Sequence, residues 1–180
     1  MAKFLIFVPL VLDVEKGYQN NSNDSGNYRS DGVRVGTNRG ISAKVYESWI
    51  GRLPSVADMK AITADIARAI YKAWYWDKLK ADSINDQNVA NIIVDMAVNS
   101  GPGAAGKLLQ KTLNKYFQKK LTVDGAIGNL TIQATNSVNG QSLFDKIKEE
   151  RKQFYLDLND PTFEDGWLDR LTHFVYEKKK

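Results

Sequence analysis

The chain contains no cysteine and a single histidine, His173. Thiolate nucleophiles, disulfides and zinc–cysteine sites are therefore excluded by composition. One imidazole cannot build a histidine metal cluster, and no GxSxG nucleophile elbow accompanies it. His173 reads as a surface or packing residue. The chemistry that remains is carboxylate chemistry, in which paired Asp and Glu residues act as general acid and base when their surroundings split their pKa values. Glu15 closely follows the apolar run "MAKFLIFVPLVL" and is the best-placed acid. Partial desolvation at such a helix end raises a carboxyl pKa and keeps the proton on. Asp24 follows nine residues later in a polar loop, where a carboxylate stays ionised. A protonated acid at a leaving oxygen, with an ionised carboxylate for the water or the cation, is the division of labour that glycoside hydrolysis requires. The same two residues also fit a plainer description, a solvated helix end and a turn residue. Spacing does not choose between them.

The elements that must carry these residues are mostly helical. Phe4, Val8 and Val11 or Leu12 fall at helical spacing and predict a buried first helix. At about ten residues it is too short to span a bilayer. Residues 18–40, rich in Asn, Ser, Asp and Gly, predict turns or an irregular hairpin, with "VRVG" as a short strand. Helical signals return from Ser42. "SVAD" has the form of a capping box with Asp58 in the reciprocal place. Ile66, Ala69, Ile70 and Ala73 make one apolar stripe, and Val89, Ile92, Ile93, Met96 and Ala97 make another, stopped by Gly101 and Pro102. Leu108, Leu109, Thr112 and Leu113 start a second half. There "VDGAIGNLT" reads as a glycine turn, with Gly125 and Gly128 as turn glycines and Asn129 capping the next helix. Two last helices carry Leu143, Ile147, Phe154, Tyr155 and Leu158, then Trp167, Leu171, Phe174 and Val175. The expected class is all-α with one small β-hairpin or irregular loop in the N-terminal part.

The 180 residues, 43% of them hydrophobic, suffice for one domain or two small lobes with a real core. A net charge of +4 suits a polyanion such as nucleic acid, an anionic wall polymer or an acidic membrane surface. Neither a helix-turn-helix with a basic recognition face nor an aromatic–basic RNA motif is present, so no nucleic-acid partner is expected. Pro9 interrupts the N-terminal apolar run, Asp13 and Glu15 follow at once, and no A-x-A cleavage site appears. The expectation is a soluble protein without an evident signal peptide and without stable membrane insertion.

Five segments in order, "VLDVEKGYQNNSNDSGN", "GTNRGIS", "IYKAWYWDKLKAD", "VDMAVNSGPGAAGKLLQ" and "VDGAIGNLT", resemble the glycoside hydrolase family 108 muramidases. That family includes phage-type endolysins and secretion activators, and the resemblance covers nearly the whole chain. It implies a lysozyme-like helical fold, with a catalytic region at 1–98 and a helical peptidoglycan-binding-like region at 99–180 packed against it. The implied reaction is hydrolysis of the β-1,4 bond between N-acetylmuramic acid and N-acetylglucosamine, without metal or organic cofactor. Carried across by position, Glu15 is the general acid, Asp24 the second carboxylate and Thr37 the hydroxyl that orients water. Tyr18, Asn38, Tyr75 and Asn99 are the implied substrate-binding residues. Tyr75 is equally readable as core, and Trp76 beside it favours core. Asn99 is equally readable as a helix-end cap, and Asp95 as a buried structural partner.

Two departures bear on the site. Lys16 stands where the family usually has glycine, and an inward-pointing amine would depress the Glu15 pKa. A lengthened loop, "NYRSDGVRV", separates Asp24 from Thr37 and brings Asp31 forward as a rival, although spacing favours Asp24. These departures favour an alternative, a non-catalytic peptidoglycan-binding or secretion-accessory protein. The expected partners are peptidoglycan glycan strands and, for release from the bacterial cytoplasm to the wall or periplasm, a holin or a secretion system.

Overall fold

The computed structural model describes residues 1–12, 17–160 and 164–178. It is mostly helical with one two-stranded antiparallel sheet, the class expected from the sequence. The chain divides into two compact units, Leu5–Ala73 and Met1–Phe4 with Trp74–Lys180. The expected division at 98/99 falls inside a helix of the second unit. Among the described residues, no helix is long and apolar enough to cross a membrane.

In the first unit, α1 (Phe4–Leu12) buries Phe7, Val8 and Val11 and leaves Leu5, Ile6 and Leu10 exposed. The buried stripe is thus narrower than the apolar run. Strand β1 (Tyr18–Gln19) pairs with β2 (Thr37–Asn38), Tyr18 opposite Asn38 and Gln19 opposite Thr37. "VRVG" makes no strand. A single bridge joins Tyr28 to Arg34, and the regular pairing falls just after the expected segment. Three short helices follow: α2 (Ala43–Ile50), α3 (Val56–Lys60) and α4 (Ala64–Tyr71). α3 starts with the expected capping box, Ser55 and Asp58 bonding each other's backbone reciprocally. α4 buries Ala67, Ile70 and Tyr71, so its inner face is turned from the expected stripe. It runs straight into a π-helical turn at Lys72–Trp76.

The second unit is built on α5 (Gln87–Ser100), which packs against α6 (Pro102–Phe117) and α8 (Gly140–Asp157). Every residue from Val89 to Ala97 is buried. α5 is thus enclosed on all sides, where its spacing suggested a single apolar stripe. Gly101 ends it at φ 87° and Pro102 opens α6, since a proline at the first helical position lacks only an N–H that would be unpaired anyway. α7 (Asn129–Asn136) begins one residue earlier than expected. Gly128 is its cap and Asn129 lies inside the helix. α9 (Glu164–Thr172) buries Leu171, and Phe174 is buried just beyond it.

Candidate active site

The two-residue sheet sorts the predicted site residues by face. In an antiparallel pair, opposed residues point the same way and neighbours along the strand point oppositely. Gln19 and Thr37 therefore share one face, Tyr18 and Asn38 the other.

On the first face, Gln19 Nε2 donates to Asp24 Oδ2 at 2.6 Å. The other oxygen, Asp24 Oδ1, accepts from Gly26 N at 2.8 Å, and Asp24 caps the 3-10 turn Ser25–Asn27. Asp24 is thus the turn residue that its surroundings suggested, and its carboxylate is held from both ends. Gln19 is itself held, because its Oε1 accepts from Asn27 Nδ2 at 2.9 Å and from Asn21 N at 3.0 Å. Thr37 is brought to the same place. A Cβ built on Gly26 would stand 3.0 Å from Asp24 Oδ1 and 3.6 Å from Thr37 Oγ1, so one methyl-sized point touches both. Among the described residues, Thr37 Oγ1 and Asn27 Oδ1 are the buried side-chain atoms without a hydrogen-bond partner. Leaving such a group unpaired costs about 1–3 kcal/mol, which water or a substrate hydroxyl removes.

The lengthened loop does not separate Asp24 from Thr37. It leaves at Asn27 and returns there, since Val35 N and Gly36 N both donate to Asn27 O, at 2.8 and 3.0 Å. The excursion is pinned: Ser30 N and Oγ donate to the Glu47 carboxylate, and Arg29 Nη1 donates to Pro54 O. Its acid, Asp31, is engaged by Arg29 through Nε and Nη2 at 3.0 and 2.7 Å. That pairing, with the Val33 amide, lowers the Asp31 pKa from its ordinary value. Asp31, the rival, is committed to an ion pair on the loop, whereas Asp24 lies beside Thr37.

On the other face, the polar atoms of Tyr18 and Asn38 bond within the protein. Tyr18 Oη donates to Val35 O at 3.0 Å, and Lys60 Nζ stands 5.1 Å over its ring. Gly36 lies against that ring at φ 90°. A side chain there would come within 2.5 Å of Tyr18 Cε2 and 2.7 Å of Gln19 O, so only glycine closes this turn. Asn38 is 5% exposed and turns its Nδ2 to Met59 O and Lys60 O at the end of α3.

Glu15 and Lys16 lie outside the described residues. Tyr75 and Asn99 belong to the second unit. Tyr75 sits half-buried in the π-helical turn, and burial raises its pKa. Trp76 is core, with its Nε1 donating to Asp82 Oδ1 at 2.8 Å. Asn99 lies one residue before the end of α5 and donates from Nδ2 to Tyr155 Oη at 3.1 Å. Asp95 is the buried partner anticipated for it: Arg151 Nη2 and Arg170 Nη2 reach it at 2.5 and 2.7 Å. Sequence reasoning missed Gln19 and Asn27. The available signal was the amide-rich run "YQNNSND" before the acid, which composition alone assigns to turns.

Residues 104–172 match the family described as predicted peptidoglycan domain. Among solved structures, Brucella abortus SagA is similar with a TM-score of 0.79 and 29% sequence identity, covering 95% of this chain and 90% of that one. No curated protein matches. Residues 8–101, which carry the Gln19–Asp24–Thr37 cluster, match the family model for glycosyl hydrolase 108, and with more than half of its length covered the chain belongs to that family.

Proposed function

We propose that the protein is a muramidase, cleaving the β-1,4 bond between N-acetylmuramic acid and N-acetylglucosamine in peptidoglycan. Glu15 protonates the departing oxygen. Asp24, with Thr37, positions water or steadies the positive charge that develops on the sugar. The observation that carries this reading is the Asp24 carboxylate held beside the unpartnered Thr37 hydroxyl in a glycosyl hydrolase 108 chain. Tyr75 and Asn99 are proposed to meet the glycan. Tyr18 and Asn38, with their polar atoms turned to the protein, support the strands that carry Gln19 and Thr37. Action at the wall, reached through a holin or a secretion route, belongs to the same proposal.

The test is clearing of purified peptidoglycan by wild type beside Glu15→Gln. Loss of a general acid costs on the order of 10²–10⁴-fold in rate. Equal clearing by both proteins would remove Glu15 from the mechanism. Binding without clearing by either would favour a wall-binding accessory protein instead, which the peptidoglycan-domain match over residues 104–172 also suits.

A further inference from the structure

We propose that Gln19 is the positioning residue of this site, a clamp that fixes the Asp24 carboxylate against Thr37. The inference rests on the reading of Asp24 as the second carboxylate. Three observations carry it. First, Gln19 Nε2 donates directly to Asp24 Oδ2 at 2.6 Å, a close contact with the oxygen that the turn leaves free. Second, the amide has one workable orientation. Oε1 already accepts from Asn27 Nδ2 and Asn21 N, so flipping the carboxamide would set donor against donor at two points and acceptor against carboxylate at a third. Asn27, the next link, is wholly buried. Its Nδ2 also donates to Asn21 O at 2.8 Å, and its carbonyl receives Val35 N and Gly36 N. Third, the strand register places Gln19 directly opposite Thr37. The residue that grips the carboxylate thus sits across the ladder from the residue that carries the free hydroxyl.

A turn that needed only its Asx cap would be complete with the Gly26 N to Asp24 Oδ1 bond. The Gln19 bond adds nothing to that cap. It immobilises the second oxygen, and with it the rotation of the carboxylate about its Cβ–Cγ bond. Holding a reacting group in one geometry lowers the entropic part of the barrier, and misplacement on the order of 1 Å costs about 10²-fold. Gln19 touches neither water nor sugar in this account. It acts through Asp24.

The experiment uses the full chain, soluble peptidoglycan oligomers as substrate, and four proteins: wild type, Gln19→Leu, Gln19→Glu and Asp24→Asn. Gln19→Leu keeps the size and removes the donor. Its kcat should fall about 10–100-fold with KM within about twofold, because the clamp orients a reacting group without binding the glycan. Gln19→Glu sets a second carboxyl against Asp24, and two facing carboxylates hold one proton more tightly than either would alone. At neutral pH that variant should be the slower of the two. On acidification its carboxyl takes up a proton and can donate to Asp24 Oδ2 again, so its rate relative to wild type should rise. Circular dichroism at each pH separates that rise from simple recovery of the fold, which a purely structural glutamine would also show. Two outcomes overturn the proposal: wild-type kcat in Gln19→Leu while Asp24→Asn is inactive, or a pH-independent ratio for folded Gln19→Glu. Wild-type activity in Asp24→Asn would instead defeat the reading of Asp24, and the clamp with it. Should Gln19→Leu fail to fold by circular dichroism, the pH ratio of Gln19→Glu decides.

Discussion

At the scale of single residues, the proposed site includes a position without a side chain. Gly26 has an ordinary backbone conformation and does not need to be glycine for its φ. What its missing Cβ spares is a close approach to Asp24 Oδ1 and Thr37 Oγ1, 3.0 and 3.6 Å from where that carbon would stand. A water placed by those two oxygens and a methyl on residue 26 would compete for nearly the same volume. Gly26→Ala should still fold, at some cost in melting temperature, because its methyl would press to within 3.0 Å of a carboxylate held from both ends. It should also lower kcat on soluble peptidoglycan oligomers by about 10–100-fold. Unchanged kcat in a folded Gly26→Ala protein would show that nothing essential occupies the gap. Asp24 was legible as a candidate from its nine-residue spacing to Glu15 once the ordered motifs were recognised. Gly26 and Gln19 could not, because their importance lies in distances across a turn and a ladder. Sequence does not state such distances.

At the scale of elements, the strand pair is too short to hold itself, and its neighbours hold it. β2 is tied from behind by Asn38, whose amide reaches the carbonyls at the end of α3. The start of α3 is set by the Ser55–Asp58 box and by Arg52, which donates to both Asp58 oxygens at 2.9 and 2.7 Å. Hydrogen bonds from Arg52 first, then Ser55, hold the Asp58 carboxyl far below its ordinary value of 3.8. A carboxyl whose pKa is lower folded than unfolded adds stability that is complete above the unfolded value. That stability fades as pH falls through the unfolded value towards the folded one. The gap in melting temperature between wild type and Asp58→Asn should therefore be widest at about pH 5 and above, and shrink below about pH 4. A constant gap would mean the box contributes no charge-dependent stability. The box itself was legible, because it is written in four adjacent residues. Most of the helices were legible for the same reason, local periodicity. Two kinds of feature were not. The enclosure of α5 on all sides depends on which helices surround it. The β1–β2 pairing is framed by a nine-residue excursion that begins and ends at Asn27, which from sequence was a lengthened loop that made Asp31 a rival to Asp24.

At the scale of the whole molecule, the glycosyl hydrolase 108 match, residues 8–101, covers most of the first compact unit and runs on into the second, which alone holds the peptidoglycan-domain match. The Gln19–Asp24–Thr37 cluster lies wholly within Leu5–Ala73. The residues resembling a peptidoglycan domain, 104–172, lie wholly within the other unit, where α6 and α8 pack on α5, the last helix of the glycosyl hydrolase 108 match. Each unit has its own buried set: Ile41, Met59, Ile70 and Tyr71 in the first, Ile92, Ile93, Leu113 and Ile147 in the second. A substitution that disturbs only the carboxylate geometry should therefore leave the second unit's packing intact. If wall recognition resides there, cleavage and recognition come apart in one experiment. Asp24→Asn should lose clearing of sacculi yet sediment with them at an apparent affinity within about twofold of wild type, a difference of only about 0.4 kcal/mol. Binding should weaken gradually as salt is added, since a chain of net charge +4 gains some attraction from wall carboxylates, and salt screens it. Loss of sedimentation in a folded Asp24→Asn protein would instead place recognition on the same unit as the carboxylate. The second unit's resemblance to a peptidoglycan domain would then reflect its packing alone.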